Sequence, residues 1–167
     1  MILRADPDFS HKDCTVVSYS AFGELSLWSK AHNLVTVDLA EGTISSEWPA
    51  STEFVAGFVP PPPPGEPDPN VIACGAIRYD EEDWNYFDFM GDEMLKRCIK
   101  AHGALELGQC YGFVPALALA GPESPMRNVD NIQRVSALEH FALLAQLQPF
   151  RLIQLTANGI ETVREIG

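Results

Sequence analysis

CYGFVPALALAGPESPMRNVDNIQRVSALEHFALLAQLQPF, running from Cys110 to Phe150, joins a dense apolar block to a long amphipathic segment. Its first half gathers Tyr111, Phe113, Val114, Leu117 and Leu119 around Pro115 and Ala116, a density of apolar side chains that is stable in water only if buried. Gly112 and Gly121 punctuate the block. In the second half Val135, Leu138, Ala142 and Ala145 fall at the three-and-four spacing of one helical face, and Ile132 and Phe141 widen that stripe. The spacing predicts a long helix, capped at its start by Asn128 or Asp130 and closed by Pro149. The stretch holds no evident catalytic group.

Upstream, the first sixty residues read as strands. Val16, Val17, Tyr19 and Phe22 lead into Leu25 and Leu27, followed by Leu34 to Leu39 and Thr43 to Trp48, with turns at Ala31-His32-Asn33 and Glu41-Gly42. Leu25 and Leu27 alternate with Glu24 and Ser26, as a half-buried antiparallel strand requires. Gly23 lies within this pattern and marks a bulge or a close backbone approach. Trp28 and Trp48 close apolar strand patterns and read as core. Phe54, Val55 and Phe58 suggest a short helix on the sheet.

Residues 60–69, PPPPPGEPDP, form a surface loop, because proline lacks the donor and fixes the backbone angle that a helix or central strand needs. Beyond it, Ile72 to Tyr79 reads as a strand and Asp92 to His102 as a helix, with Met94, Leu95, Cys98 and Ile99 inward and Lys96, Arg97 and Lys100 outward. Gly103 ends that helix. Arg151 to Gly167 reads as one strand and a short helix. These elements define an α+β fold with a single domain over residues 1–167, an antiparallel sheet from the N-terminal half packed against helices from the C-terminal half.

Composition narrows the function. Of 167 residues, 46% are hydrophobic and 20% charged, an ordinary globular balance that is long enough for one core. Eleven basic against 23 acidic residues give a formal charge of −12, which disfavours nucleic acid and anionic membrane as direct partners and favours basic proteins. Acidity alone is also what keeps an ordinary protein soluble. Cys14, Cys74, Cys98 and Cys110 show no paired spacing and read as reduced thiols. No apolar run reaches membrane-spanning length, and the start lacks the pattern of a signal peptide, so a cytoplasmic location is expected.

Three segments carry a family resemblance. Ala21 to Trp28 reads Ala-Phe-Gly-acidic and ends on tryptophan; Tyr111 to Gly121 reads Tyr-Gly-Phe-x-Pro-Ala-Leu-x-Leu-Ala-Gly; Leu144 to Leu147 reads Leu-Ala-Gln-Leu. In this order they resemble the C-terminal domain of bacterial type VI secretion immunity proteins that neutralise DNase toxins, a domain that commonly follows a GAD-like domain. Ala120 departs from the family pattern, which has a glycine pair there, and no segment resembles the GAD-like domain. The resemblance implies a binding protein whose partner is a cognate type VI effector toxin, a basic nuclease.

Tyr79 to Glu93, YDEEDWNYFDFMGDE, is the candidate surface for that partner. It holds seven carboxylates and no base, and interleaves Trp84, Tyr86, Phe87 and Phe89 with them. A DNase presents a positive groove to phosphates, so an acidic element studded with aromatic anchors can plug it. Asp80, Glu81, Glu82, Asp83, Trp84, Tyr86 and Asp88 are the expected contacts. The same segment also reads as an acidic helix start whose aromatics point into the core.

Catalytic readings find little support in the sequence. Cys98 and His102 lie four apart on the expected helix, but two ligands do not make a structural zinc site and no second pair accompanies them. Glu139-His140 reads as a helix position with a partly buried histidine rather than a general base. A nucleophile elbow, a phosphate-cradling loop, a dinucleotide fingerprint and a calcium loop are all missing from the sequence. No catalytic residue, metal or cofactor is assigned. Two rivals to the immunity reading are a non-catalytic regulatory or scaffolding module that binds through the Pro-rich loop, and a small metal-dependent hydrolase.

Overall fold

The computed structural model describes residues 2, 9, 12–46, 86–121, 123–156 and 159–166. The Pro-rich segment, the elements expected at Phe54–Phe58 and Ile72–Tyr79, and Trp48 and Cys74 lie outside these residues.

The expected N-terminal strands form as β1 (Cys14–Tyr19), β2 (Glu24–Ser29), β3 (Asn33–Asp38) and β4 (Thr43–Ser46), paired antiparallel in chain order. Leu25 faces Val37 and Leu27 faces Val35 across the β2–β3 pair, so the alternation read from the sequence places one apolar face toward the core. Asn33 takes a left-handed φ of 56° in the β2–β3 turn, a conformation that asparagine tolerates better than most residues.

The C-terminal segment departs from expectation. In place of one strand and a helix it forms a hairpin, β7 (Phe150–Thr156) and β8 (Gly159–Ile166). Strand β7 joins the first sheet parallel to β4, with Ile44 opposite Leu152, giving the order β1-β2-β3-β4-β7-β8. The reason lies in burial. Phe150, Leu152 and Ile166 complete the core with Leu27, Val35, Val37 and Ile44, and a helix would not extend the hydrogen-bonded ladder from β4. The fold is thus α+β, with a mostly antiparallel sheet drawn chiefly from the N-terminal half and helices in the C-terminal half.

The long helix expected from residue 128 to Pro149 is also corrected. A 3-10 turn (Val129–Asn131) comes first, followed by β6 (Ile132–Ser136), and only then the helix proper, Ala137–Leu147. Asn128 does cap the 3-10 turn, its side chain accepting from the Asp130 N–H at 2.8 Å. Strand β6 exists because β5 (Gln109–Phe113) buries Cys110, Tyr111 and Phe113 and needs a partner for its backbone groups, which Ile132–Ser136 supplies. The helical face is rotated accordingly. Ala137, Phe141 and Leu144 turn inward, while Leu138, one of the residues expected to be buried, is 80% exposed.

Two further helices fall between these elements: α1 (Leu95–His102) and the four-residue α2 (Leu117–Ala120), so Ala137–Leu147 is α3. Helix α1 starts three residues later than expected, because residues 88–94 form a turn built on Asp88. Met94 and Cys98 are buried and Leu95 is partly so, but Ile99 is 44% exposed. Gly103 ends α1 at φ 83°, donating to the Ile99 carbonyl at 2.9 Å.

Two apolar clusters result. One fills the space between the large sheet and α3; the other joins Phe22, Met94, Cys98, Tyr111, Phe113, Leu117 and Ile132. Gly23 is a turn glycine at φ 96° between β1 and β2, not a strand bulge, and a Cβ there would lie 3.5 Å from the Phe141 ring. Gly112 makes the tighter approach: a Cβ would stand 2.8 Å from both the His140 ring and Val135 Cγ2. Gly112→Ala is therefore expected to push β5 from α3 and lower stability by about 1–3 kcal/mol, read as a drop in the urea midpoint. An unchanged midpoint would show that His140 and Val135 move aside freely.

Candidate partner-binding site

The described part of the acidic, aromatic segment, residues 86–94, runs along the surface between the β3–β4 corner and α1. Its first residue points inward. The Tyr86 ring stacks on Phe22 at 5.3 Å between centroids and lies 5.9 Å from Phe113, while its hydroxyl donates to Glu41 Oε1 at 3.1 Å. Burial pushes the phenol up, with the charges of Asp38 and Glu41 adding to the effect. Arg127 covers the other side of the ring, its Cζ 4.4 Å from the centroid, and pairs with Glu41 at 2.9 Å.

Asp88 also turns inward. It is 7% exposed, and its Oδ1 accepts from the Met90 and Asp92 N–H groups at 2.9 Å each, while Oδ2 accepts from Arg97 Nη1 at 2.6 Å. Those bonds hold its carboxyl below the usual range, the Arg97 guanidinium foremost. Asp88 serves the turn as acceptor for the Met90 and Asp92 amides. Tyr86 is half-buried against the second cluster. Asp80, Glu81, Glu82, Asp83 and Trp84 lie outside the described residues.

What the segment presents outward is Phe87, Phe89 and Met90, exposed by 47%, 47% and 71%, with the exposed Asp92 and Glu93 beside them. The sequence marks Phe87 and Phe89 by their interleaving with acids and carries no comparable mark for Met90. The residues face as they do because Asp88 anchors the turn from within, which leaves Phe89 and Met90 at its outer corner.

Beneath the loop, Asp38 sits near Glu24 and Glu41. Burial pushes its carboxyl up to about 7, against the Ala40 and Glu41 N–H groups that its Oδ1 accepts at 2.9 Å, and with Glu41 and Glu24 pushing in the same direction as burial. The other groups weighed from the sequence do not converge. Cys98 is buried in the second cluster, its thiol pushed up to about 11 by burial, and His102 Nε2 lies 3.1 Å from the Val129 carbonyl. Burial lowers the His140 imidazole below its ordinary value. Among the described residues no group of three or more metal-ligating side chains occurs. Nor is any helix there long and apolar enough to cross a membrane.

Two predictions test this geometry. Because the native state holds a proton on Asp38 that the unfolded chain releases above about pH 4, the Asp38 contribution to stability falls as pH rises from about 4 to 7. Asp38→Asn keeps the acceptor and removes the titration, so urea denaturation should show the variant gaining stability relative to wild type between pH 5 and pH 8, as about two or three pH values in that window would reveal. Parallel curves would refute the raised carboxyl. Separately, Arg97→Gln should raise hydrogen exchange at the Met90 and Asp92 amides on the order of tenfold, read at the two amides by exchange NMR.

Comparison with known proteins agrees with the sequence. A crystal structure of Atu4351 from Agrobacterium tumefaciens superposes with a TM-score of 0.79 at 23% identity, covering 99% of this chain and 69% of that one, which shows a shared fold. No curated protein matches. Residues 76–148, which contain the loop, α1, β5, β6 and α3, match the family model of the T6SS immunity protein Tdi1, C-terminal, the family that segments of the sequence resemble.

Proposed function

We propose that this chain is an immunity protein that binds a cognate type VI effector in the cytoplasm and neutralises it, that the effector is a basic DNase, and that neutralisation works by occluding its DNA groove or active site. The observation that carries this reading is the position of the acidic, aromatic loop: it falls inside the segment that matches the immunity family and displays large apolar groups beside exposed carboxylates. A net charge of −12 supplies long-range attraction to a phosphate-binding surface of opposite sign. Asp80, Glu81, Glu82, Asp83 and Trp84 precede the loop in sequence and extend the same contact, while Tyr86 and Asp88 set its shape. Protection by this route needs slow dissociation and no turnover.

The test is co-expression with the product of the adjacent gene, purification of the complex, and a DNA-cleavage assay on the free and bound partner. A stable complex with a nuclease whose cleavage stops on binding is expected, and its association rate should fall by about tenfold or more between about 50 and 500 mM salt. A partner that still cleaves DNA in the complex would overturn occlusion, and a salt-independent association rate would overturn the electrostatic part.

A further inference from the structure

The turn from Phe87 to Glu93 is unusually well fixed for a surface element. Arg127 holds it from both sides of Asp88, its Nε donating to the Phe87 carbonyl at 2.8 Å and its own carbonyl accepting from the Phe89 N–H at 2.9 Å. The Asp88 N–H donates to the Asp92 carbonyl at 2.9 Å, the Gly91 N–H donates to the Asp88 carbonyl at 3.0 Å, and the Asp88 side chain takes the Met90 and Asp92 amides. Gly91, at φ 85°, closes the turn in a conformation that a side chain would strain. A bridge between Phe87 and Glu93 completes it.

None of these bonds needs the side chains of Phe89 and Met90. Tyr86 already supplies the core contact of this segment, so two large apolar groups are held out in water on a backbone that has little freedom to lose on binding. We infer that Phe89 and Met90, with Phe87 beside them, are the anchor that seats this loop in an apolar pocket of the effector, and that the pocket is rimmed by cations facing Asp92 and Glu93. The assignment rests on the immunity reading above. An aromatic ring and a flexible thioether are suited to filling such a pocket, and the two carboxylates match the basic rim of a phosphate-binding groove. The two parts act on different rates. Desolvation of the anchor governs dissociation, and the exposed carboxylates govern encounter.

The experiment measures binding kinetics of the purified chain to a catalytically inactive form of the adjacent gene's product. The Phe89→Ala, Met90→Ala double variant is expected to weaken Kd by about 30-fold or more, mainly through faster dissociation. Asp92→Asn with Glu93→Gln should slow association by less than about tenfold and leave dissociation nearly unchanged. Leu138→Ala, on the exposed face of α3, should leave both rates at wild-type values. Unchanged affinity in the double variant, beside a wild-type chain that binds, would overturn the anchor and leave the immunity reading standing; so would a larger loss at Leu138. Failure of the wild-type chain to bind would overturn both. Equal thermal midpoints across the variants, expected because all these side chains are exposed, separate lost contact from lost fold.

Discussion

The contact on which the rest depends is the ring of Phe22. It is 4% exposed, stacked on Tyr86 and 5.6 Å from Tyr111, and it projects from the β1–β2 turn of the large sheet into the second apolar cluster. Beside it the Tyr111 N–H donates to the Ala21 carbonyl at 2.7 Å, so backbone and ring together join the sheet to β5. A buried ring of this kind is worth about 3–5 kcal/mol against alanine, a large share of a typical domain's stability. Its effect extends outward in steps. Phe22 fixes Tyr86, Arg127 lies over Tyr86, and Arg127 grips the backbone that carries Phe87 and Phe89.

This chain of contacts explains what carries the family resemblance. Its three segments are distant in sequence but meet at one place: Ala21–Gly23 touches Tyr111 through backbone and ring, and the Leu144 side chain comes within 4.0 Å of the position a Gly23 Cβ would take. The resemblance is therefore carried largely by core residues, Phe22, Tyr111, Phe113, Leu117 and Leu144 among them. For the same reason it named no contact. The loop that faces outward is built on those residues but lies outside them.

Legibility followed the physics of each element. Strands β1 to β4 were readable because alternation and turn residues agreed, and Gly103 marked the end of α1. The Ile132–Ser136 strand was not, since Ile132 and Val135 fit a helical stripe as well as a strand, and only the burial of Cys110 to Phe113 decides for the ladder. The β7–β8 hairpin was missed because its role, pairing with β4 across a hundred residues of sequence, leaves no local trace. In the candidate site the acidic and aromatic composition was visible, but not which way each residue faced.

That last ambiguity has a specific physical origin. A run of acids and aromatics looks like a uniformly acidic surface, yet the turn sends its residues to different sides: Asp88 and Tyr86 face inward while Phe87, Phe89 and Met90 face out. The inversion is stable because the two inward groups find partners: Asp88 meets Arg97 and two amides, and Tyr86 meets Phe22, Glu41 and Arg127. Two guanidinium groups are thereby committed to internal pairs, with Asp88 and Glu41, so the carboxylates of Asp92 and Glu93 remain as the charged groups of the turn that face outward. Burying one carboxylate thus does two things at once. It fixes the backbone that displays the apolar side chains, and it occupies a nearby cation that would otherwise weaken the negative field around them.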